Sequence, residues 1–136
     1  MADITGLSHL TLTVSDLDRS VQWWTDLLGL QKLFDGEESG MRFSVTVHPG
    51  SNLIIGFRQH EEAGPDRFSE DRVGLDHAAF EVATRAELEE WDTLLEEKNI
   101  DHSEIKDAGY GSVITFRDPD NIQLEFFALP DAAPTV

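Results

Sequence analysis

Hydrophobic and polar positions alternate in two stretches of the chain that begin with nearly the same residues. Residues 6–14 read GLSHLTLTV and residues 74–82 read GLDHAAFEV, so each has Gly-Leu-x-His and a Val five positions after the His. Alternation with a period of two predicts a half-buried β-strand. Because the two strands open alike, the sequence predicts an internal repeat.

A helical pattern follows the first of these strands. Ser15 with Asp18 three residues later resembles a capping box, and Gly29 is a typical stop just beyond the last turn. The spacing predicts a helix whose apolar face packs on a sheet. The predicted apolar face consists of Leu17, Val21, Trp24 and Leu28.

The second strand is followed by a helical pattern of the same kind. Thr84 with Glu87 three residues later predicts the N-terminus of this helix. Trp91 lies 67 positions after Trp24, close to the offset of 68 between the two strands. All three tryptophans (Trp23, Trp24 and Trp91) are expected in the core. The predicted apolar face consists of Leu88, Trp91 and Leu95.

The strand ends repeat as well. NLIIGF at 52–57 lies over NIQLEF at 121–126, at an offset of 69. Each copy therefore reads as a strand, a helix and three strands, which predicts the α+β class with two βαβββ modules. The three later strands of each copy are expected near 30–35, 41–47 and 52–59, and near 101–106, 112–117 and 121–128.

The repeat also predicts the domain organisation. Residues 1–136 form one domain, in which module one covers 4–60 and module two covers 74–128. Residues 61–73 are polar without periodicity, which indicates a linker. The tail at 129–136 is expected to be loose.

Composition narrows the function classes. A formal net charge of −17 argues against nucleic acid or an anionic membrane as partner. No window approaches the roughly 18 apolar residues of a membrane span. The first twenty residues show a strand pattern rather than a signal peptide, and cysteine is absent, so thiolate ligands and a Cys nucleophile are excluded. These features predict a cytoplasmic protein.

Two histidines and one glutamate carry the candidate chemistry. His9 and His77 occupy the same position in the two copies, and Glu125 lies between two apolar residues in the last strand. A charged carboxylate within an apolar strand is costly unless it is paired or binds metal. Two imidazoles and a carboxylate on one face suit a divalent cation. The alternative is that both histidines are hydrogen-bonded core residues and Glu125 lies at an exposed edge.

The chain resembles the vicinal oxygen chelate superfamily, which contains glyoxalase I, extradiol dioxygenases and bleomycin-resistance proteins. The resemblance covers 4–128. It rests on GLSHLTLTVSDLDRSVQWWTDLLGL, on GLDHAAFEV and on FRDPDNIQLEFF. The last stretch is similar to the family's D-P-D-G-x-x-x-E pattern, with Asn121 in place of Gly.

The resemblance implies a cup-shaped mixed sheet with helices outside and one divalent metal ion (Fe, Mn, Zn or Ni) inside. Carried over by position, His9, His77 and Glu125 are the metal ligands. Some members have a fourth ligand on the fourth strand, where the repeat here has Gly56. A three-ligand site with open positions is expected. Gln59 would be the fourth ligand instead if a bulge shifted the register by one.

Further candidates lie along the same faces. Alternation puts Arg58 and His60 on the face of Gly56, where Arg58 would clamp an anionic group and His60 would serve as a base or substitute ligand. The alternative is that this strand end frays into the linker.

Fosfomycin transferases, similar in this region, share the Thr two positions after the first His, here Thr11. The candidate catalytic residues are Glu125, His60 and Tyr110, and the candidate substrate-binding residues are Thr11, Arg58 and Phe127.

These observations predict a divalent-metal-dependent enzyme acting on a small oxygen-bearing metabolite. The expected reaction is of lyase/isomerase or dioxygenase type. The alternative is a bleomycin-resistance-like protein that binds a small molecule or antibiotic without catalysis, which suits the acidic composition. A homodimer is expected, because pairing would cover the sheet edges. The sequence does not choose between a cup built within one chain and one built by modules of two chains.

Overall fold

The computed structural model describes residues 1–131, so the end of the predicted tail at 129–136 lies outside the described residues. The chain divides into two compact units, Met1–Asp66 (unit 1) and Arg67–Val136 (unit 2). Within residues 1–131, no helix is long and apolar enough to cross a membrane. The predicted linker is divided between the two units.

Unit 1 contains one helix and a four-stranded sheet of order β1-β4-β3-β2 within the described residues. Strand β1 runs parallel to β4, and the other neighbours are antiparallel. Its elements are β1 (Leu10–Thr13), α1 (Leu17–Leu28), β2 (Gln31–Glu38), β3 (Met41–His48) and β4 (Leu53–His60).

Unit 2 repeats this pattern in the part of it that the structure describes, with a sheet of order β5-β8-β7-β6 and β5 parallel to β8. The α+β class and the two βαβββ modules are therefore confirmed. Its elements are β5 (Ala78–Val82), α2 (Arg85–Glu97), β6 (Lys106–Ala108), β7 (Gly111–Arg117) and β8 (Gln123–Ala128).

The start of α1 differs from the prediction by one residue. Asp16 is the N-cap, and its carboxylate accepts from the Arg19 N–H at 3.1 Å. The predicted cap, Ser15, accepts from the Arg19 guanidinium at 3.0 Å. The predicted stop is confirmed, because Gly29 is the C-cap at φ 70° and its N–H donates to the Thr25 carbonyl.

The start of α2 is as predicted. The Thr84 hydroxyl accepts from the Glu87 N–H at 3.1 Å, and the Glu87 carboxylate accepts from the Ala83 N–H at 3.2 Å. The helix ends at Glu97, and Asn99 follows in the left-handed region at φ 55°. Both predicted helices are thus present in their expected places.

Each helix covers one face of its own sheet. In unit 1, Trp24 is fully buried and its ring meets Phe57 of β4 at 5.6 Å between centroids. In unit 2, Trp91 is half-buried and stacks on Phe126 of β8 at 4.2 Å. The buried face of α1 is rotated relative to the predicted one. Val21 and Leu28 of the predicted face are half-buried. The buried residues of α1 are Leu17, Ser20, Trp24 and Leu27.

Two of the predicted boundaries differ in the structure. The second half of the predicted linker is fixed to unit 2, since the Phe68 N–H donates to the Asp120 carbonyl at 3.0 Å. The strand expected at 101–106 is shorter and later, because His102 makes a single bridge to Phe116 and its ring contacts the Glu96 carboxylate of α2 at 3.0 Å.

Candidate metal centre

The clearest candidate centre lies in unit 2, where β5 and β8 run side by side. His77 immediately precedes β5, and Glu125 lies in the middle of β8 beside Ala79. The neighbours of Glu125 in β8, Leu124 and Phe126, are buried, so Glu125 points to the sheet face opposite α2. The His77 Nε2 atom stands 3.3 Å from the Glu125 Oε1 atom.

Both side chains are held through their remaining polar atoms. The Asp76 Oδ1 atom lies 2.7 Å from His77 Nδ1, and the Thr115 hydroxyl of β7 donates to Glu125 Oε2 at 3.4 Å. The side chain of Glu125 is 20% exposed and that of His77 is 40% exposed. The pair is therefore accessible to solvent, and hydrogen bonds with Asp76 and Thr115 fix its orientation.

The chemistry of this pair fits a divalent cation. The two ring nitrogens of His77 each face a carboxylate, and a neutral ring whose Nδ1–H donates to Asp76 presents its Nε2 lone pair to Glu125. A cation between Nε2 and Oε1 removes that repulsion. Neighbouring ligands with bonds of about 2.1 Å stand roughly 3 Å apart around a metal, which agrees with the observed 3.3 Å.

Unit 1 presents a single histidine at the equivalent place. His9 immediately precedes β1, is exposed, and has its Nδ1 atom 2.9 Å from the Ser8 hydroxyl. Within residues 1–131 of this one chain, no group of three or more His, Asp or Glu side chains is arranged to hold a metal ion. The structure thus brings His77 and Glu125 together, and His9 stands in the other unit.

The position equivalent to Glu125 in unit 1 is closed by a neighbouring side chain. Gly56 lies beside Thr11 in the parallel pair of β1 and β4. A Cβ atom at Gly56 would stand 2.9 Å from the Thr11 Oγ1 atom and 3.4 Å from its Cγ2 atom. Thr11 therefore occupies the space that a fourth ligand on β4 would need.

Gln59 does not provide the alternative fourth ligand in this register. The pairing of β4 with β3 runs without a shift from Leu53 to His60. The Gln59 Oε1 atom accepts from the Leu17 N–H at 2.8 Å, so this side chain is on the helix face of the sheet. Gly56 is therefore the residue at the ligand position of β4, and the Gln59 side chain accepts from the first N–H of α1.

Arg58 and His60 lie on the open face of unit 1, as alternation predicted. Arg58 is exposed beside Thr13, and among residues 1–131 it makes no ion pair. Leu10, which follows His9, lies beside Ile55. His60 is five residues further along β4, about 17 Å at the usual strand rise, so His60 is not beside His9 in unit 1.

Phe127 and Tyr110 form an aromatic pair on the open face of unit 2. Phe127 lies two residues beyond Glu125 on the same face, and the exposed ring of Tyr110 lies parallel to it with centroids 6.2 Å apart. Gly111 makes this possible, since a Cβ there would stand 2.4 Å from the Phe127 Cζ atom. The β6–β7 turn therefore holds Tyr110 beside Phe127.

Sequence reasoning missed three residues of this site: Asp76, Thr115 and Gly111. A signal existed for Asp76, because both histidines follow a residue with a polar oxygen, Ser8 in one copy and Asp76 in the other. Thr115 becomes a partner of Glu125 only through the register of β7 with β8. Nothing in the linear pattern sets that register to the residue.

With the fold and this geometry in view, the chain belongs to the glyoxalase/bleomycin resistance protein/dioxygenase superfamily, whose family model matches residues 6–126. The match extends over both units. It confirms the resemblance expected from the repeated Gly-Leu-x-His stretches and from the last strand.

Two curated relatives align with most of this chain. Biphenyl-2,3-diol 1,2-dioxygenase 3 of Rhodococcus globerulus is 26% identical over 92% of this chain and 66% of its own length. Metallothiol transferase FosB of Staphylococcus epidermidis is 30% identical over 90% of this chain and 82% of its own length. The chain thus spans less than two thirds of the length of the dioxygenase.

Solved structures show the same fold. A glyoxylase/bleomycin resistance protein/dioxygenase domain from Frankia sp. EAN1pec is 35% identical, covers 95% of both chains and has a TM-score of 0.87. Fosfomycin resistance protein FosX of Listeria monocytogenes, complexed with Mn(II) and 1S,2S-dihydroxypropylphosphonic acid, is 20% identical, covers 96% of this chain and 94% of its own, and has a TM-score of 0.72.

Proposed function

We propose that this chain is a divalent-metal-dependent enzyme acting on a small oxygen-bearing metabolite, with His9, His77 and Glu125 as the metal ligands. The observation that carries this proposal is the pairing of His77 Nε2 with Glu125 Oε1 at 3.3 Å. That distance is close to the separation of neighbouring ligands around a metal, so the pair suits a cation. Family membership and the two curated relatives, a dioxygenase and a metallothiol transferase, support the same class.

A bound metal would polarise an oxygen of the substrate or stabilise negative charge on it. Three protein ligands leave coordination positions open, and Gly56 under Thr11 keeps β4 from filling one of them. Both reaction classes, lyase/isomerase and dioxygenase, need such open positions.

The residues around the ligands would bind the substrate. Arg58 is exposed on unit 1 without an ion pair among the described residues, which suits an anionic group. Thr11 offers a hydroxyl on the same face. Phe127 with Tyr110 provides an apolar wall beside Glu125. An anionic group would suit Arg58, and an apolar group would suit Phe127 with Tyr110.

Proton transfer would involve Tyr110 or Glu125. The Tyr110 phenol is exposed next to Phe127, and the Glu125 Oε1 atom lies 3.3 Å from the His77 Nε2 atom. His60 is proposed as a further proton carrier. His60 lies far along β4 from the start of β1, so we propose it as a proton carrier at the edge of the site and not as a metal ligand beside His9.

A homodimer is part of the proposal, because pairing of two copies would cover the sheet edges. His77 and Glu125 form only part of a ligand set, and unit 1 holds His9. The third ligand comes either from the same chain or from unit 1 of a second copy. The absence of cysteine makes the chain independent of disulfides and favours a cytoplasmic location.

Elemental analysis of purified protein after loading with Fe(II), Mn(II), Zn(II) or Ni(II) tests the proposal. We expect one divalent ion per chain in the wild type and a loss of binding of roughly 100-fold or more in His77→Ala and Glu125→Ala. His48→Ala is the matched control, because His48 is bonded to Ser51 in the β3–β4 turn. Wild type that binds no metal would overturn the proposal and favour the metal-free binding protein.

Co-expression of two variants distinguishes the two ways to assemble the site. A mixed dimer of His9→Ala and Glu125→Ala chains contains one intact ligand set if the modules are exchanged and none if each chain builds its own. We therefore expect metal binding to return in the mixed dimer for exchanged modules. Equal loss in the mixed and single-variant dimers assigns the site to one chain.

A further inference from the structure

A chain of hydrogen bonds in unit 2 begins at the imidazole of His77. We propose that Asp76 is a positioning residue, which fixes the proton of His77 on Nδ1 and turns Nε2 toward the metal, with Ser8 as its weaker counterpart at His9. This inference rests on the proposed function and concerns a partner of the ligands rather than a ligand. It gives a role to the polar residue that precedes both histidines.

The chemistry of the Asp76 side chain sets the direction of the bond. An ionised carboxylate only accepts hydrogen bonds, so at 2.7 Å the Nδ1 atom of His77 must donate to Asp76 Oδ1. With the proton on Nδ1, the lone pair of a neutral ring is on Nε2, which is the atom facing Glu125 at 3.3 Å. A metal-ligating histidine is commonly held by a carboxylate in this way.

The Asp76 carboxylate is itself held in place from β8. The Gln123 amide donates to Asp76 Oδ1 at 2.8 Å and to the Asp76 carbonyl at 3.2 Å. Asp76 Oδ1 thus lies between the ring of His77 and the amide of Gln123. The position of the acceptor is fixed by two backbone segments, the approach to β5 and the start of β8.

The amide of Gln123 is anchored in turn by Arg117 of β7. The Gln123 Oε1 atom accepts from Arg117 Nη2 at 3.2 Å, which fixes the amide orientation so that its NH2 group faces Asp76. Arg117 makes a two-point ion pair with Glu70 at 2.8 and 3.0 Å. The bonds therefore run from the His77 ring to the segment that enters unit 2.

The equivalent arrangement in unit 1 is weaker by its chemistry. Ser8 lies 2.9 Å from His9 Nδ1, and a hydroxyl can either donate or accept there. The hydroxyl therefore does not fix the proton position of His9. Asp76 is expected to influence metal binding more than Ser8, although the two residues occupy the same position of the repeat.

Nitrogen-15 NMR of the metal-free protein, at a pH where the rings are neutral, tests the positioning role directly. We expect His77 to carry its proton on Nδ1 in the wild type and to shift toward the Nε2–H form in Asp76→Ala. Asp76→Asn retains an acceptor oxygen and should largely preserve the wild-type form. An unchanged His77 spectrum in Asp76→Ala would overturn the inference, whether or not the wild type binds metal.

Metal titration gives the second measurement. Asp76→Ala should weaken metal binding by roughly 10- to 100-fold, Asp76→Ser to an intermediate degree, and Ser8→Ala least. Asp101→Ala is the control, since it removes one negative charge from the exposed surface of unit 2. Equal affinity in Asp76→Ala and the wild type, or equal loss in Asp101→Ala, would overturn the role of Asp76.

Discussion

The two units are copies of one βαβββ pattern, and one row across their sheets differs at every position. At the middle of the parallel strand pair, one unit has a carboxylate and the other has a glycine. In unit 1 the row consists of Thr11, Gly56 and Val45. In unit 2 the row consists of Ala79, Glu125 and Thr115.

The difference shows that a ligand position depends on its neighbours across the sheet. Ala79 is small, so the Glu125 side chain has room beside it, and Thr115 donates a bond to its second oxygen. In unit 1, Thr11 fills that room, since a Cβ atom at Gly56 would stand 2.9 Å from the Thr11 Oγ1 atom. All three positions differ together, so one substitution does not convert one row into the other.

The next row also differs between the two units, in the side chain on the open face of each sheet. Arg58 of unit 1 and Phe127 of unit 2 occupy the same repeat position, beside Thr13 and Glu81 respectively. One unit thus offers a charge and the other an aromatic ring. The duplicated fold supplies two different surfaces from one scaffold.

The largest expected effect compares the cores of the two units. Trp24→Ala removes a fully buried ring, which should lower the free energy of unfolding by about 3–5 kcal/mol. Trp91→Ala should cost less, because Trp91 is half-buried although it stacks on Phe126. Urea unfolding followed by circular dichroism measures both, and a larger loss in Trp91→Ala would contradict the ranking.

Placing a glutamate at position 56 of unit 1, the equivalent of Glu125, tests whether Thr11 limits what β4 can carry there. Gly56→Glu places a side chain against Thr11 and should destabilise the protein by roughly 1–3 kcal/mol. In the double variant Thr11→Ala/Gly56→Glu the obstruction is gone, so we expect a coupling free energy of about 1 kcal/mol or more between the sites.

The control for this experiment is Gly64→Glu, since a Cβ at Gly64 has no atom within 4 Å. That substitution should leave the free energy of unfolding nearly unchanged. Strictly additive effects of the two changes at positions 11 and 56 would show that Thr11 does not limit what β4 can carry.

The smallest expected effect concerns the ion pair that anchors the entry to unit 2. Hydrogen bonding to Arg117 lowers the pKa of Glu70 from 4.5 to about 2. A carboxyl whose pKa is lower in the folded state stabilises the fold above its unfolded pKa, and this contribution is lost as the pH falls from about 4.5 toward 2. The exposure of the pair keeps the effect small.

Thermal unfolding of Glu70→Gln across this range measures the contribution. The Tm of the variant should lie slightly below that of the wild type at pH 7, and the two should converge as the pH approaches 2. Glu104→Gln, an exposed carboxylate on unit 2, should show no such convergence. A constant Tm difference at all pH values would argue against the Glu70–Arg117 pair.

Much of the fold was predictable, because its signals are local. Alternation predicted β1 and β5, and as predicted α2 begins after Thr84 and α1 ends at Gly29. The cap of α1 was placed one residue early, since the spacing does not show that the Ser15 hydroxyl binds a guanidinium. The strand expected at 101–106 moved because His102 is held by α2, a contact that local periodicity does not encode.

The sequence by itself determined the repeat, the βαβββ pattern and the candidate ligands, because each depends on the order and spacing of residues along one strand or helix. It also placed Gly56 opposite Glu125 in the repeat. Only the tertiary structure decided that Thr11 closes the position of Gly56, and that Asp76 and Thr115 hold His77 and Glu125. The physical reason is that register and side-chain contact join residues from different strands, and the free energy of those contacts exists only once the sheet has formed.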